Sequence, residues 1–336
     1  MYHNTINRIY NTDSQTHLNS PKIIVFKPLL ILIGIFIWTM DSATAQDPVL
    51  PPTNLGMANV YDGMAGKPGF IYQSYVQVFR AQNYYDQFGT KKQTDFKLHS
   101  LSNVQQLIYL SPVKLLGGTL AFTAIVPIVQ LSATRTGGDR PLINSSVLGD
   151  IIEGTAIQWS DKKLFGKPFS HRAEFDISFP LGNFDHQYDI NPSFHAWTFS
   201  AYHAFTMILN SRMSISSRNQ INYNGTYIDT KDKAGSFYNG NYSIDFSIVP
   251  AMKVELVAYY LKQITPDKHD GSSHYYQDAF GIDNTKETAL GFGPCIAYFS
   301  PGRTLIEAKV FFETAENNRF SGYRPTIRVA VPLMKQ

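Results

Sequence analysis

Strict alternation of apolar and polar residues is the feature that most constrains this fold. In residues 242–248, Tyr242, Ile244 and Phe246 fall on one side of the chain and Asp245 falls on the other. The same period of two runs through 173–179, 253–260, 306–313 and 326–331. Side chains alternate between two faces in a β-strand but not in a helix. Each stretch is therefore a predicted strand with one face in an apolar medium and one face that tolerates charge.

Strand-like segments fill the chain from residue 70 onward. They are rich in Tyr, Phe, Ile, Val and Thr, which favour strands, and no long stretch has the 3.6-residue period of a helix. The twelve predicted strands are 70–81, 98–110, 117–131, 147–160, 168–181, 194–208, 213–224, 237–248, 253–265, 288–298, 304–314 and 323–334. The sequence thus predicts an all-β fold.

The connections between these strands alternate between long and short. The long ones are 82–97, 132–146, 182–193, 225–236, 266–287 and 315–322, and the short ones are 111–116, 161–167, 209–212, 249–252 and 299–303. Bacterial outer-membrane barrels have this asymmetry, with tight periplasmic turns and longer loops outside. A sheet that closes on itself also satisfies all of its backbone polar groups in hydrocarbon. We therefore predict a transmembrane antiparallel up-and-down β-barrel of about 12 strands, of the outer-membrane type.

The composition agrees with apolar and polar residues that alternate along the sequence rather than with long apolar blocks. Aromatic residues make up 14% and charged residues 16% of the 336 residues, yet the mean hydropathy is −0.17. A polytopic helical membrane protein needs several apolar runs of about 20 residues, and this class is excluded. The net charge of +3 without a basic stripe gives no support for a nucleic-acid partner. A single cysteine, Cys295, excludes a disulfide within the chain and a multi-cysteine metal site.

The first 45 residues have the pattern of a cleaved export signal. Lys22 and Lys27 precede the apolar run 28–40, and a small-x-small site ends at Ala45. This order of positive, apolar and small-residue regions is typical of a signal peptide. We therefore predict a signal peptide over 1–45, a Pro/Gly-rich N-terminal segment over 46–69 and a barrel domain over 70–336. The N-terminal segment could plug the lumen or lead in from the periplasm, and the sequence leaves both open.

Charged residues opposite the apolar strand faces are the candidate functional residues. A charge that faces lipid at the bilayer midplane costs about 2–4 kcal/mol, so these side chains are expected to face the lumen. The candidates are Glu174, Asp176, Asp245, Lys253, Glu255, Glu307, Lys309 and Arg328. We favour a salt-bridge network that fills a narrow barrel over a solute-binding role for these residues, and both interpretations stay open.

Enzyme signatures are missing from the sequence. It contains no His-Glu-x-x-His, no Gly-x-Ser-x-Gly, no P-loop and no dinucleotide fingerprint. We therefore predict that the protein is not an enzyme and has no catalytic residue, no cofactor and no metal site. His269, Asp270 and His274 lie in the longest loop and could bind a cation, but a solvated loop is favoured because the spacing of a calcium loop is missing.

Aromatic residues near the strand ends are candidates for the belts that barrels place at the lipid–water interface. These are Tyr72, Phe79, Tyr109, Trp159, Trp197, Tyr259, Tyr298 and Tyr323. Ordinary packing within the sheet is the alternative for any one of them.

A series of short motifs resembles the outer-membrane family of the MetA-pathway of phenol degradation, or SphA-like proteins. In chain order they are Leu50-Pro51-Pro52, Gly69-Phe70, Gly117-Gly118-x-Leu120 with Pro127, Leu148-Gly149-Asp150, Pro180-Leu181-Gly182-x-Phe184, Asn191, Trp197-Thr198-Phe199, Gly291-x-Gly293-Pro294, and Glu313 with Asn318-Arg319. Each motif is short, but their order runs from Leu50 to Leu333, which is nearly the whole chain after the signal peptide.

The resemblance implies an outer-membrane barrel that takes up small, hydrophobic or aromatic molecules by passive diffusion. Its implied partners are the lipid of a Gram-negative outer membrane, such a solute, and the barrel-assembly machinery during biogenesis. The alternative is a structural or surface-interaction barrel whose long loops bind a partner, with little solute flux. Neither the resemblance nor the residues identify the solute, the direction of transport or the oligomeric state.

Overall fold

The computed structural model describes residues 54–92, 96–135 and 142–333. The signal peptide predicted over 1–45 and the first part of the segment predicted over 46–69 lie outside these residues. The remaining part of that segment and the barrel domain are described below.

Twelve long antiparallel strands form the sheet, and each of the twelve predicted segments overlaps one of them. They are β1 (Gly69–Tyr85), β2 (Phe96–Leu115), β3 (Gly118–Arg135), β4 (Ile151–Leu164), β5 (Lys167–Phe179), β6 (Thr198–Ile208), β7 (Met213–Asn224), β8 (Phe237–Val249), β9 (Met252–Gln263), β10 (Thr288–Phe299), β11 (Leu305–Asn317) and β12 (Arg319–Pro332). Each strand pairs with the next along the chain, and β12 pairs with β1. The sheet is therefore a closed up-and-down barrel, which confirms the predicted fold class.

Tight turns join the strands at one end of the barrel. The β2–β3 turn consists of Leu116 (φ 50°) and Gly117 (φ 72°), and the β4–β5 turn of Phe165 (φ 51°) and Gly166 (φ 73°). Two consecutive residues with positive φ match the right-handed twist of a two-residue hairpin, and glycine adopts that conformation at little cost.

At the other end, one predicted long connection is wrong. The stretch 315–322 was expected to form a loop, but β11 continues to Asn317 and β12 starts at Arg319. Asn318 alone joins them, with φ 52°. The strands extend because β11 pairs with β10 as far as Asn317 and β12 pairs with β1 from Arg319 onward.

The long loops carry small elements of their own. The loop 264–287 contains one short helix, α1 (Tyr275–Phe280). A two-residue strand, Lys268–His269, pairs with Asp232–Lys233 and joins this loop to the loop 225–236. Among the described residues, no helix has both the length and the apolar character needed to cross a bilayer.

The barrel has an apolar outer face and a polar inner face over most of its circumference. On β9, Lys253 and Glu255 are buried, whereas the alternate residues Val254 and Leu256 are exposed. This is the reverse of a water-soluble sheet and is what a lipid-facing wall requires. Two of the predicted belt aromatics instead lie inside, because Phe79 and Tyr259 are fully buried.

The ladder between β3 and β4 is incomplete. It ends at the pair Ile125–Ile152, although β3 continues to Arg135. Pro127 follows on β3 and has no N–H group to donate to a ladder. Beyond this point the nitrogen of Val129 still donates to the carbonyl oxygen of residue 147, and that of residue 149 to the carbonyl oxygen of Pro127. Beyond Ile125, β3 therefore forms hydrogen bonds with the irregular chain that precedes β4 and not with β4 itself.

Candidate functional site

Residues 54–65 of the N-terminal segment lie against the inner face of the barrel wall, and the name is used below for these residues. The backbone nitrogen of Gly56 donates to the side-chain oxygen of Asn241 at 2.8 Å, and Gln77 donates to the carbonyl oxygen of Leu55 at 3.1 Å. The Leu55 side chain packs in one buried apolar cluster with Phe311. The segment has no regular secondary structure of its own, so these contacts with the strands fix its path.

Asp62 is the main charged contact of the N-terminal segment. Its two carboxylate oxygens accept hydrogen bonds from Nε and Nη2 of Arg218 at 2.7 and 2.8 Å. A second guanidinium, that of Arg172, lies 3.5 Å away. All three residues are shielded from solvent, and breaking a buried pair by removing one partner costs about 3–5 kcal/mol. Asp62 therefore holds the segment to β5 and β7.

Further contacts bind the segment on other sides of the barrel. Lys309 donates to the carbonyl oxygen of Met57 at 2.8 Å and to the Asn59 side chain at 2.7 Å. A Cβ atom built on Gly63 would lie 2.2 Å from the backbone carbonyl carbon of Phe205. Only glycine fits there, because the segment touches the backbone of β6 directly.

The eight charges predicted from the sequence are all buried. Glu174 and Asp176 lie on the same face of β5. Glu174 accepts a hydrogen bond from the Tyr202 hydroxyl and lies 2.9 Å from Nε of Arg172. For Asp176, atom Oδ1 has no hydrogen-bond partner among the described residues. This part of the wall therefore combines a carboxylate that is paired with Arg172 and Tyr202 with one whose buried Oδ1 has no hydrogen-bond partner among the described residues.

Asp245 and Lys253 form an ion pair between β8 and β9. Ser214 also donates to Asp245, and the Lys253 nitrogen lies 4.7 Å from the centre of the Tyr61 ring. This second group of predicted charges thus contacts the N-terminal segment through an aromatic face, an arrangement that stabilises a desolvated ammonium.

The remaining predicted charges meet on β9, β11 and β12. Glu307 lies 2.8 Å from Arg328 and 3.5 Å from Lys309. Glu255 accepts a hydrogen bond from the thiol of Cys295 at 3.4 Å. The structure thus brings the eight candidates into three groups of close polar contacts, and a solute-binding role for them stays a prediction.

Sequence reasoning missed the arginines that complete these groups. Arg172 shares the inner face of β5 with Glu174 and Asp176 at a spacing of two, and this spacing could have identified it. Arg218 shares the inner face of β7 with the buried Gln220. Asp62 had no such signal, because a segment without a period does not reveal where its side chains point.

A cavity of about 190 Å³ lies between the N-terminal segment and the long loops. Its apolar wall, provided by the inner faces of β2, β3 and β4, comprises Leu98, Val104, Ile125, Pro127, Val129, Leu131 and Ile152. Its polar wall includes Asp176, Arg218 and Gln220. The cavity is therefore amphipathic, with the apolar side along the strand whose ladder is incomplete.

The loop at the mouth of the cavity is held by one carboxylate. Asp150 accepts hydrogen bonds from the Ser193 hydroxyl at 2.6 Å and from the backbone nitrogens of Phe194 and Gly182 at 2.8 and 3.1 Å. Burial raises the pKa of Asp150, although these hydrogen bonds oppose the shift. Asp150 and Gly182 come from two separate motifs of the family resemblance, and the structure places them in direct contact.

Two of three comparisons with known proteins find matches. The family model described as "Putative MetA-pathway of phenol degradation" matches residues 81–329. The solved COG4313 outer membrane channel from Pseudomonas putida F1 is similar with a TM-score of 0.66 and 14% identity, over 82% of this chain and 99% of that chain. The NanC porin has a TM-score of 0.40 and 8% identity, over 78% of this chain and 100% of that chain. A search of curated protein sequences finds no match.

The fold is thus that of an outer-membrane barrel, and the similarity to the COG4313 channel shows this fold. The match over 249 consecutive residues shows the family more specifically. The chain belongs to the family of the MetA-pathway of phenol degradation, as the motifs of the sequence indicated.

Proposed function

We propose that this protein is a channel of a Gram-negative outer membrane for the passive uptake of small hydrophobic or aromatic molecules. The observation that carries this proposal is the amphipathic cavity. A dry cavity of about 150 Å³ in another protein is large enough for benzene, and the cavity here measures about 190 Å³. It therefore has the size for a solute with a single aromatic ring.

The two walls of the cavity would bind different parts of the solute. Burial of apolar surface against Val129 and Leu131 contributes roughly 25 cal/mol per Å². A polar substituent of the solute can reach Asp176 or Arg218 on the opposite wall. Because the gain comes from desolvation, a sugar of similar volume would bind far more weakly than an aromatic ring.

The N-terminal segment would act as the selective obstacle in the lumen. The segment is hydrogen-bonded to Gln77 on β1 and to Lys309 on β11. A hydrated solute in the lumen therefore meets polar groups that are already paired with one another. This arrangement supports slow passage of hydrophilic molecules. Movement down a concentration gradient needs no energy source, and the proposal therefore requires no enzymatic step.

The proposal is tested with purified protein in vesicles whose outer leaflet is lipopolysaccharide, since that leaflet slows hydrophobic molecules. Uptake of radiolabelled toluene, a single-ring aromatic probe, should be several-fold faster with the protein than without it, while arabinose-driven swelling stays low. A Val129→Asp variant should lose the acceleration. Fast arabinose flux with unchanged probe uptake would contradict the proposal, and the absence of both fluxes would favour a barrel whose loops bind a partner.

A further inference from the structure

Two long loops bring together three groups of the kind that bind transition metals. His186 and His195 belong to the loop between β5 and β6, and Asp229 belongs to the loop between β7 and β8. One potential ligand atom from each lies within 4.8 Å of the others. The cluster is formed by loop packing, since Asp229 is more than thirty positions from the two histidines in the sequence.

The His195 imidazole is held firmly in place. It stacks on Phe184, with ring centres 3.9 Å apart and planes 3° apart, and Phe184 meets the His186 ring edge to face at 4.9 Å. The backbone nitrogen of His195 donates to the Ser193 hydroxyl at 2.9 Å, and the His195 carbonyl oxygen accepts from the backbone nitrogen of Ile228 in the other loop at 2.9 Å. The ring is therefore held by its stacking on Phe184, and the backbone that carries it is joined to both loops.

One nitrogen of this oriented ring is left without a partner. Atom Nε2 of His195 is buried and makes no hydrogen bond with any described residue. Buried polar atoms are nearly always paired, and an exception in a native structure requires an explanation. Other buried atoms of the described residues also lack partners, but His195 is in addition clustered with a second imidazole and a carboxylate. An electron-pair acceptor at this position would satisfy it.

We propose that His186, His195 and Asp229 bind a divalent transition-metal ion, with Nε2 of His195 as one ligand. Imidazole and carboxylate suit Zn²⁺, whose ligands lie at about 2.0–2.2 Å, and a set of two imidazoles and one carboxylate leaves room for water. Ligand atoms around such an ion are roughly 3.4 Å apart, so the three groups, which lie within 4.8 Å of one another, need to approach one another by at most about 1.4 Å. The side chains of His186 and Asp229 are exposed and free to make this adjustment.

The bound ion would connect the two loops at the mouth of the cavity. Phe194, the neighbour of His195, lines the cavity and packs against Tyr227 of the other loop at 5.0 Å between ring centres. The site would therefore fix the arrangement of loops that closes the cavity on the side opposite the N-terminal segment. This inference concerns metal binding alone and is independent of the solute that the cavity accepts.

The experiment is a titration of the metal-free, detergent-solubilised protein with Zn²⁺ by calorimetry, and with Co²⁺ by visible absorption. We expect one equivalent to bind, and the Co²⁺ spectrum to report nitrogen and oxygen ligands. His195→Gln and Asp229→Asn should weaken Zn²⁺ binding at least tenfold. The matched controls His274→Gln and Asp278→Asn remove an imidazole and a carboxylate from another long loop and should bind as the unmodified protein does.

Heat-modifiable mobility on a gel verifies that each variant retains the folded barrel. Equal Zn²⁺ affinity in His195→Gln and in the unmodified protein would overturn the proposal. So would the absence of a one-equivalent binding step in the unmodified protein, or equal losses in the control variants.

Discussion

The inner wall of the barrel has two sides of opposite character. Around β5 to β12 it carries buried charges, most of which are paired with one another or with the N-terminal segment. Along β2 and β3 it carries Val104, Ile125, Val129 and Leu131, which line an open cavity. A wall of charges must be filled or hydrated, because unpaired charges are costly when buried. An apolar wall has no such requirement and can stay available for a solute.

This difference explains why one chain segment and one cavity share the lumen. The N-terminal segment brings Asp62 to the arginines, and it brings the Met57 carbonyl oxygen and the Asn59 side-chain oxygen to Lys309. It therefore covers the charged side, and the apolar side is left uncovered. Of the next four predictions, three test the two sides separately and one tests a buried carboxyl group of the loops, and they run from the largest expected effect to the smallest.

The charged side is tested most strongly by Asp62→Asn. This change leaves Arg218 and Arg172 without their anionic partner, and we expect the N-terminal segment to lose about 3–5 kcal/mol of binding to the wall. Amide exchange of residues 54–65, followed by mass spectrometry, should then be about a hundredfold faster or more.

Asp86→Asn is the matched control for this change. Asp86 lies in an exposed loop and pairs with Lys92 at 2.7 Å, and an exposed pair is worth less than about 1 kcal/mol. Exchange of the segment should not change in this variant. Slow exchange of residues 54–65 in Asp62→Asn would show that the charges do not hold the segment.

The loops provide a carboxyl group in a different environment for comparison with Asp62. Asp267 is buried between the amide nitrogens of Gly235 and Gln263, at 2.7 and 2.6 Å. Burial raises its pKa to about 7, and the nearby Glu287 adds to the shift. A raised carboxyl pKa favours the neutral form in the folded protein, so its contribution to stability is complete below about pH 4 and is lost as the pH approaches 7.

The contact between loops 225–236 and 264–287 should therefore weaken by roughly 1.4 kcal/mol per pH unit within that window. Amide exchange of 225–236, corrected for intrinsic rates, should show more protection at pH 5 than at pH 8. Asp267→Asn, which keeps an acceptor oxygen but does not titrate, should remove the dependence. An unchanged pH dependence in Asp267→Asn would assign it to another group.

Gly63→Ala tests the fit of the segment without changing any charge. The added Cβ would overlap the backbone of Phe205, and overpacking of this kind costs about 1–3 kcal/mol. Faster amide exchange in residues 54–65 is expected. Gly302→Ala is the control, because a Cβ there meets only the Ser300 hydroxyl at 3.7 Å. Equal exchange in both variants would mean that the segment does not contact β6 closely.

The apolar side is tested by adding a hydroxyl group to the cavity wall in one variant and removing one in another. Val129→Thr keeps the side-chain shape but places a hydroxyl in the apolar wall, and should weaken binding of 4-bromophenol by about fivefold, or ~1 kcal/mol. Ser102→Ala removes a hydroxyl from the same cavity and should bind this probe as well as or better than the unmodified protein. Calorimetric titration of the purified barrel measures both. A weaker Ser102→Ala would contradict an apolar binding wall.

The strands were predictable because lipid and lumen impose opposite demands on alternate residues. On β9 this separates Lys253 from Val254 without any knowledge of neighbouring strands. The buried charges follow from the same pattern, which could also have placed Arg172 on the inner face of β5. These features depend on local sequence, and local sequence was sufficient.

Other features depend on contacts that the pattern does not encode. In the stretch 125–129 both faces of β3 are apolar, so the alternation disappears and the cavity wall could not be identified. Asp62 meets Arg218 across 156 residues. The sequence likewise predicts no metal site, since it does not show that Asp229 and the two loop histidines come together.

The most direct test of the two-sided lumen is a crystal structure of the protein soaked with 4-bromophenol, with the bromine located by anomalous scattering. The account predicts a bromine peak inside the barrel, in contact with Ile125, Val129 or Leu131, while residues 54–65 remain on the charged side. Bromine peaks confined to the outer, lipid-facing wall, or located among the paired charges of β9 to β12, would contradict it.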